Sequence, residues 1–149
     1  MGASEKLKSI HFPALNKKLP LQIWDIPGAD KFRTLSSIYF RDADAAILVF
    51  DMSNKESFNN LKNSWLRELQ AIAPENMVKV VVGNKADLVE EVDGSQDKAD
   101  IVTDKMLREF ASSKKAEWKK ISARRDQSSV DEVFQLVGTL LLKQNPSVS

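Results

Sequence analysis

Residues 78–87 read VKVVVGNKAD, and this stretch decides the fold. Val78, Val80, Val81 and Val82 form an almost unbroken apolar run that ends at Gly83. Strands of this kind are typically buried on both faces of a parallel sheet. The polar string NKAD follows at once, and open α/β sheets bind ligands beyond the carboxyl ends of their strands. The stretch therefore predicts a central buried strand that leads into a ligand-binding loop.

The remaining strands are predicted from the same kind of pattern. A second apolar run is closed by Asp51, and an alternating run ends in the turn-forming pair Pro27-Gly28. An upstream segment is expected to pair with the alternating run as a hairpin across Asn16-Lys17-Lys18. The predicted strands, besides the central one, are Lys8–Phe12, Leu21–Asp25, Ala45–Phe50 and, more weakly, Trp118–Ile121.

Helical patterns fill the intervals between the strands. One apolar helix face is predicted to stop at Pro74, and it consists of Phe58, Leu61, Trp65, Leu66, Leu69 and Ile72. Thr103 is a predicted helix N-cap, and Ser129 with Glu132 forms a predicted capping box for the last helix. Residues 89–100 are predicted to be a surface loop. We therefore expect a single α/β domain over residues 1–149, with a mostly parallel sheet and helices on both faces.

Composition excludes several classes of function. The net charge of +1 gives no field that favours nucleic acid, so no nucleic-acid partner is expected. The chain has no cysteine, which excludes disulfides, thiol catalysis and thiolate metal sites. His11 is the only histidine and is expected to be a half-buried strand residue. No apolar run approaches about 18 residues, so no membrane span is predicted and the expected location is the cytoplasm.

Three polar strings follow predicted strands and carry the candidate chemistry: residues 24–28 (WDIPG), 84–87 (NKAD) and 122–124 (SAR). Asp87 can accept two hydrogen bonds from the edge of a guanine base, which adenine does not offer. Asn84 can tie the loop that would hold the base, residues 84–87, to its neighbours. The Lys85 stem can lie along a purine, and the Ala123 N–H can donate to the guanine oxygen. Read alone, each string is also an ordinary turn; their shared placement at the carboxyl ends of predicted strands favours a ligand-binding site.

The first of these strings offers groups for the rest of a nucleotide. Asp25 is a candidate partner of Mg²⁺ through a water molecule. The N–H of Gly28, with no Cβ beside it, is a candidate donor to a terminal phosphate oxygen. Both residues can also be read as a plain strand-ending turn, although the metal and phosphate site is favoured.

Together these strings resemble the Rab branch of the Ras-like small GTPases. The resemblance extends from about Leu19 to Leu142 and is carried further by the segments LQIWD at 21–25, KFRTL at 31–35, IYFR at 38–41 and LVFD at 48–51 followed by ESF at 56–58. It implies the fold of P-loop NTPases (nucleoside triphosphatases), with GTP or GDP and Mg²⁺ as ligands. Asn84, Lys85, Asp87, Ser122, Ala123, Arg124 and Gly28 are the residues that it assigns to the nucleotide. It also implies a switch in vesicle traffic, with effector and regulator proteins as partners.

The same resemblance assigns Trp24, Phe32 and Tyr39 to an effector-binding surface. It also makes the departures from the family pattern visible. No pair of glycines forms the phosphate loop G-x-x-x-x-G-K-[ST], and Ala29 stands where the family has a catalytic glutamine. By this comparison the phosphate loop, the first switch and the first strand are missing, so hydrolysis by this chain is left open. Without cysteine for prenylation, contact with vesicle membranes is expected only through partners.

Two functions therefore remain open at this point. One is a guanine-nucleotide-dependent switch, and the other is a nucleotide-free pseudo-GTPase that acts as a constitutive protein-binding module. In the family the missing strand lies between Leu21–Asp25 and Ala45–Phe50. Three outcomes are then possible: Lys6–Phe12 fills that place, another chain supplies a strand, or the fold is unstable.

Overall fold

A computed structural model describes residues 3–28, 33–90 and 98–146, with the backbone alone for 33–36, 90 and 98. Its strands are β1 (Ser4–Phe12), β2 (Lys17–Asp25), β3 (Ala45–Asp51), β4 (Val78–Asn84) and β5 (Glu117–Lys120). Its α-helices are α1 (Arg33–Phe40), α2 (Lys55–Asn60), α3 (Leu66–Ile72), α4 (Ala86–Glu90), α5 (Asp104–Ser113) and α6 (Gln127–Gln144). Strands and helices alternate from β2 onward.

The strand quoted at the outset is the centre of a parallel three-stranded sheet, in the order β3-β4-β5. Val80, Val81 and Val82 are at most 1% exposed. The register places Asp51 opposite Asn84, and Gly83 opposite Lys120, so all three strands end at the same edge. The predicted α/β class with a parallel sheet is confirmed.

Helices cover both faces of this sheet, as the sequence predicts. On one face Val133 and Val137 of α6 pack against Val80 and Val82. On the other face a larger core joins β3, α2, α3 and α5, and its buried members include Phe50, Phe58, Leu69 and Leu107. Because β4 is apolar on both sides, it needs both layers to be shielded from water.

The predicted helix ending before Pro74 is present in three consecutive pieces. A π-helical segment, Leu61–Trp65, separates α2 from α3. The predicted apolar face is buried at Phe58, Leu61, Leu66 and Leu69. The backbone turns to an extended conformation at Ala73, directly before Pro74, as expected for a residue that precedes proline.

Strands β1 and β2 form a separate antiparallel hairpin, with Ser4 opposite Asp25 and Phe12 opposite Lys17. A 3₁₀ turn at Pro13–Leu15 and a left-handed Asn16 (φ 48°) connect the two strands. The hairpin is confirmed, but its predicted turn is displaced, because Lys17 and Lys18 already pair with Phe12 and His11. The idea that Lys6–Phe12 fills a place between β2 and β3 is wrong. So short a connection makes local antiparallel pairing the accessible arrangement, and β3 pairs only with β4 among the described strands.

Helix α6 carries the hairpin as well as the sheet. The hairpin contributes Ile10, Phe12 and Leu19 to a buried cluster that also contains Leu142 of α6. Lys8 adds a polar contact, because its Nζ lies 3.9 Å from Asp131 and 5.5 Å from the centre of the Phe134 ring. His11, on the opposite side of β1 from these apolar residues, is exposed, so the expectation of a half-buried histidine is wrong.

Of three predictions about helix boundaries, one is confirmed and two are wrong. Thr103 caps α5, and its hydroxyl accepts a hydrogen bond from the N–H of Met106 at 3.2 Å. The capping box at Ser129 is wrong, because α6 begins at Gln127 and Asp126 caps it by accepting from the N–H of Ser128. The loop predicted over 89–100 is wrong at both ends, because Val89 belongs to α4 and Lys98–Asp100 form a 3₁₀ turn; residues 91–97 lie outside the described residues.

Gly138 allows the hairpin to approach α6 closely. A Cβ at this position would lie 2.8 Å from Cζ of Phe12. Gly138→Leu is therefore expected to lower the free energy of unfolding by about 1–3 kcal/mol, since overpacking a filled contact forces neighbouring side chains from their preferred rotamers. Urea denaturation followed by circular dichroism measures this change.

The matched control for this prediction is Lys143→Leu, on the same helix at an exposed position. It is expected to change stability by less than about 0.5 kcal/mol. Equal stabilities of the two leucine variants would contradict the proposed packing at Gly138.

Candidate functional site

The second and third polar strings lie side by side at the carboxyl edge of the sheet. Backbone hydrogen bonds continue the β4–β5 pairing into the loops: the N–H of Ile121 donates to the carbonyl of Gly83 at 2.8 Å. The N–H of Ala86 in turn donates to the carbonyl of Ile121 at 3.0 Å. These bonds bring the segment 84–87 against the segment 122–124.

Asp87 is the one buried charged side chain of the described residues, and the residue is 6% exposed. Its Oδ1 accepts a 2.7 Å hydrogen bond from the Ser122 hydroxyl. Its Oδ2 lies 3.8 Å from Nε of Arg125, an ion pair that is too long for a hydrogen bond. Within the described part of the chain, Oδ2 therefore retains its capacity to accept hydrogen bonds, which a buried carboxylate needs to use.

Asn84 connects the two strings directly. Its Oδ1 accepts a 3.1 Å hydrogen bond from the N–H of Ala123. This bond fastens the segment 84–87 to the segment 122–124. The same bond occupies the N–H that the sequence assigns to a guanine oxygen, so a bound base would have to share that donor.

Lys85 has an unusual backbone conformation, with φ at 60°. For a residue with a Cβ the left-handed region costs about 1–2 kcal/mol, so surrounding contacts must hold it. One such contact is an ion pair in which Lys85 Nζ lies 3.0 Å from Oδ2 of Asp51, at the end of the neighbouring strand β3.

Asp51 is a residue that the sequence interpretation did not assign to the site. Its Oδ1 accepts hydrogen bonds from the N–H and the hydroxyl of Ser53, at 2.9 and 2.6 Å. Partial burial by itself would raise the pKa of Asp51, but the Ser53 hydrogen bonds and the Lys85 ammonium outweigh it and lower the pKa below 3.8. Its position as the polar end of an apolar strand was the available signal.

The first polar string follows β2, which belongs to the hairpin and not to the three-stranded sheet. Asp25 is exposed at the end of β2, where it faces Ser4 of the hairpin. Gly28 is exposed too, and a Cβ added there would meet nothing within 4 Å. No group of three His, Cys, Asp or Glu side chains able to hold a metal occurs in the residues the structure describes. These residues alone therefore do not build a magnesium site.

The other residues that the resemblance singles out are Arg124, Ala29, Phe32, Trp24 and Tyr39. Arg124 is exposed beside Ala123. Ala29 and Phe32 lie outside the described residues. Trp24, 39% exposed, packs its ring 4.9 Å from that of Tyr39, and the neighbouring Ile38 is 63% exposed. This pair joins β2 to α1 and leaves apolar surface in contact with water.

Two concavities are apparent on the described surface. A cleft of about 260 Å³ adjoins the polar strings, and its lining includes Asp87, Ser122, Arg125 and Ser129. A larger one, of about 440 Å³, lies on the hairpin and is lined by residues 7–9 and 20–22, away from the polar strings. The described helices include none with the length and apolar character to traverse a bilayer.

The lowered pKa of Asp51 predicts a pH-dependent contribution to stability. A carboxyl whose pKa is lower in the folded state stabilises the fold above its unfolded pKa, and this contribution is lost as the pH falls through the folded pKa. Asp51→Asn is therefore expected to lower the free energy of unfolding by about 1 kcal/mol at pH 7. The difference from the wild type should shrink below about pH 4.

Denaturation midpoints measured from pH 7 to pH 3 test this prediction. Asp44→Asn, at the exposed opposite end of β3, is the control. A loss of stability in Asp51→Asn that stays constant to pH 3 would contradict a lowered pKa.

Comparisons with known proteins identify the family of the chain. The family model described as "Ras family" matches residues 1–143. The chain is 34% identical over 134 residues, 90% of its length, to the GTP-binding protein ypt1 of Schizosaccharomyces pombe. It is 43% identical over 101 residues, 66% of its length, to the Ras-related protein Rab-1D of Dictyostelium discoideum. It is also 42% identical over 90 residues, 60% of its length, to the Ras-related protein RABD2a of Arabidopsis thaliana.

These matches cover only part of the relatives. They span 60% of ypt1, 48% of Rab-1D and 43% of RABD2a. The three parallel strands, the helices on both faces and the strings at the carboxyl edge are consistent with a small-GTPase fold. With the match over residues 1–143, they show that the chain belongs to the Ras family, and its similarity to Ypt and Rab proteins supports a Rab-type member.

Proposed function

We propose that this chain is the base-reading part of a Rab-type guanine-nucleotide switch in vesicle traffic. The observation that carries the proposal is the buried carboxylate of Asp87, with Oδ1 held by Ser122 and Oδ2 able to accept further hydrogen bonds. Guanine presents an N1–H and an exocyclic amine on one edge, and a fixed carboxylate accepts from both. Adenine has no matching pair of donors on that edge.

The neighbouring groups suit the rest of a purine. Asn84 and Ala123 fix the loops on either side of Asp87, and the Lys85 stem lies next to them with its ammonium held at Asp51. GTP or GDP would supply the base that these residues read, and Mg²⁺ would balance the charge of the phosphates. The described residues offer no cluster of carboxylates that would hold this metal by themselves.

The strength of binding follows from which parts of the nucleotide are contacted. The 149 residues contain no phosphate-loop motif, and Ala29 replaces the glutamine that the resemblance places there. Charge-assisted hydrogen bonds to phosphate contribute about 1.5–3 kcal/mol each. We therefore expect base-dominated binding, with GDP and guanosine differing by less than about tenfold in Kd for this chain, and no measurable hydrolysis.

A second function is favoured by the exposed aromatic pair. The tilted rings of Trp24 and Tyr39 lie 4.9 Å apart beside the exposed Ile38, and an apolar surface of this kind suits protein docking. In this alternative the chain is a nucleotide-free pseudo-GTPase that binds effector or regulator proteins constitutively. Contact with vesicle membranes is then mediated by those partners.

Isothermal titration of the purified chain with GDP, guanosine and ADP separates the two functions. A preference for GDP over ADP supports the guanine site. A folded chain that binds none of the three at millimolar concentration contradicts the switch and leaves the binding module as its function.

Asp87→Asn tests the residue that carries the proposal. Asparagine replaces an acceptor by a donor, so the variant is expected to weaken GDP binding by about 10- to 100-fold, the equivalent of one charged hydrogen bond. Binding of xanthosine diphosphate should rise, because xanthine presents an oxygen where guanine has its amine.

The matched control is Asp131→Asn, an exposed carboxylate on α6. It should leave both affinities unchanged. A variant at Asp87 that keeps the wild-type preference for GDP over xanthosine diphosphate would remove Asp87 from the base site.

A further inference from the structure

The geometry points to Asp51 as a positioning residue of the guanine site, acting on the base through the side chain of Lys85. This inference rests on the proposed function, because it concerns the surface on which the purine would lie. We call residues 84–87 the base-reading string. This string follows β4, whereas Asp51 lies at the end of β3, so a strand outside the polar strings takes part in ligand binding.

Asp51 is fixed before any ligand arrives. Its side chain is 21% exposed, and Oδ1 is held by two hydrogen bonds from Ser53. Its backbone N–H donates to the hydroxyl of Ser57 at 3.0 Å, which ties the strand end to α2. The next residue, Met52, donates its N–H to the carbonyl of Asn84 at 2.9 Å. Oδ2 therefore presents a negative charge at a defined place beside the base-reading string.

Lys85 is held at both ends of its side chain by this arrangement. Its backbone is in the left-handed region at φ 60°, and its Nζ lies 3.0 Å from Asp51 Oδ2. The four-carbon stem consequently spans the carboxyl edge from the end of β4 to the end of β3. A lysine side chain that is 54% exposed would otherwise sample many rotamers. The ion pair removes that freedom in advance, which is the general way in which preorganisation improves affinity.

The contribution of Asp51 should not depend on which purine is bound. The lysine stem offers methylene groups to the flat face of a ring, and this contact is the same for guanine and xanthine. Asp87 instead reads the hydrogen-bonding edge, where the two bases differ. Loss of Asp51 is therefore expected to weaken both ligands equally, in contrast to the switch in preference at Asp87.

A double-mutant cycle tests the coupling between the two side chains. Asp51→Asn is expected to raise the Kd for GDP about fivefold, and Lys85→Met by a similar or larger factor. In the Lys85→Met background, Asp51→Asn should produce no further change in the Kd, because the ammonium through which Asp51 acts is absent. Asp51→Asn in the Asp87→Asn background should weaken xanthosine diphosphate by the same factor of about five.

Two further variants serve as controls. Asp44→Asn removes a carboxylate from the exposed opposite end of β3 and should leave the Kd unchanged. Ser53→Ala keeps the charge of Asp51 but removes one hydrogen bond that orients it, so a loss of about twofold is expected even if Asp51→Asn folds poorly. Circular dichroism melts establish that each variant is folded at the titration temperature.

The outcomes separate this inference from the proposed function. Additive effects of Asp51→Asn and Lys85→Met, with wild-type GDP binding intact, would overturn the positioning role alone. Unequal losses for GDP and xanthosine diphosphate would do the same. A wild-type chain that does not bind GDP would overturn the guanine site itself, and the role of Asp51 with it.

Discussion

The parallel pairing of β4 with both of its neighbours is the constraint on which the rest of the molecule depends. Val80, Val81 and Val82 are almost fully buried, so β4 must be covered on both faces and paired on both edges. The pairing register aligns Asp51 with Asn84 and Gly83 with Lys120. A shift of one residue would turn every side chain of the strand to the opposite face. The polar residues at the carboxyl edge are therefore placed by the hydrophobic core.

Helix α6 extends this constraint to the hairpin. Its residues pack under Val80 and Val82 on one side and against Ile10, Phe12 and Leu19 on another, and Leu141 contacts both groups. Gly138 makes the second contact possible, because a larger residue would meet the Phe12 ring. The aromatic pair of Trp24 and Tyr39 joins the hairpin to α1, whereas the polar strings at 84–87 and 122–124 lie at the carboxyl edge of the three-stranded sheet. The two candidate functions thus belong to two differently supported surfaces.

Predictions from the sequence agree with the structure where they concern patterns that are local along the chain. Apolar runs, the hairpin and the Thr103 cap are local patterns, and each is present in the structure. The capping box failed because Asp126 and Ser129 are both acceptable caps three residues apart, and the chain used the earlier one. The place between β2 and β3 was likewise not filled by Lys6–Phe12, because the short turn at Asn16 favoured local pairing. Competition between two adequate local solutions cannot be resolved from composition alone.

The sequence by itself determined the α/β class, the central strand and the identity of the polar strings, because burial on two faces leaves a continuous apolar run and the motifs are contiguous. Only the tertiary structure decided which groups meet: Asp87 with Ser122, Asn84 with Ala123, and Lys85 with Asp51. These pairs are separated by tens of residues, and their contact depends on strand register and loop conformation. Asp51 and Arg125 lie outside the three polar strings, and the ion pairs of Asp51 with Lys85 and of Arg125 with Asp87 form only when the strands align.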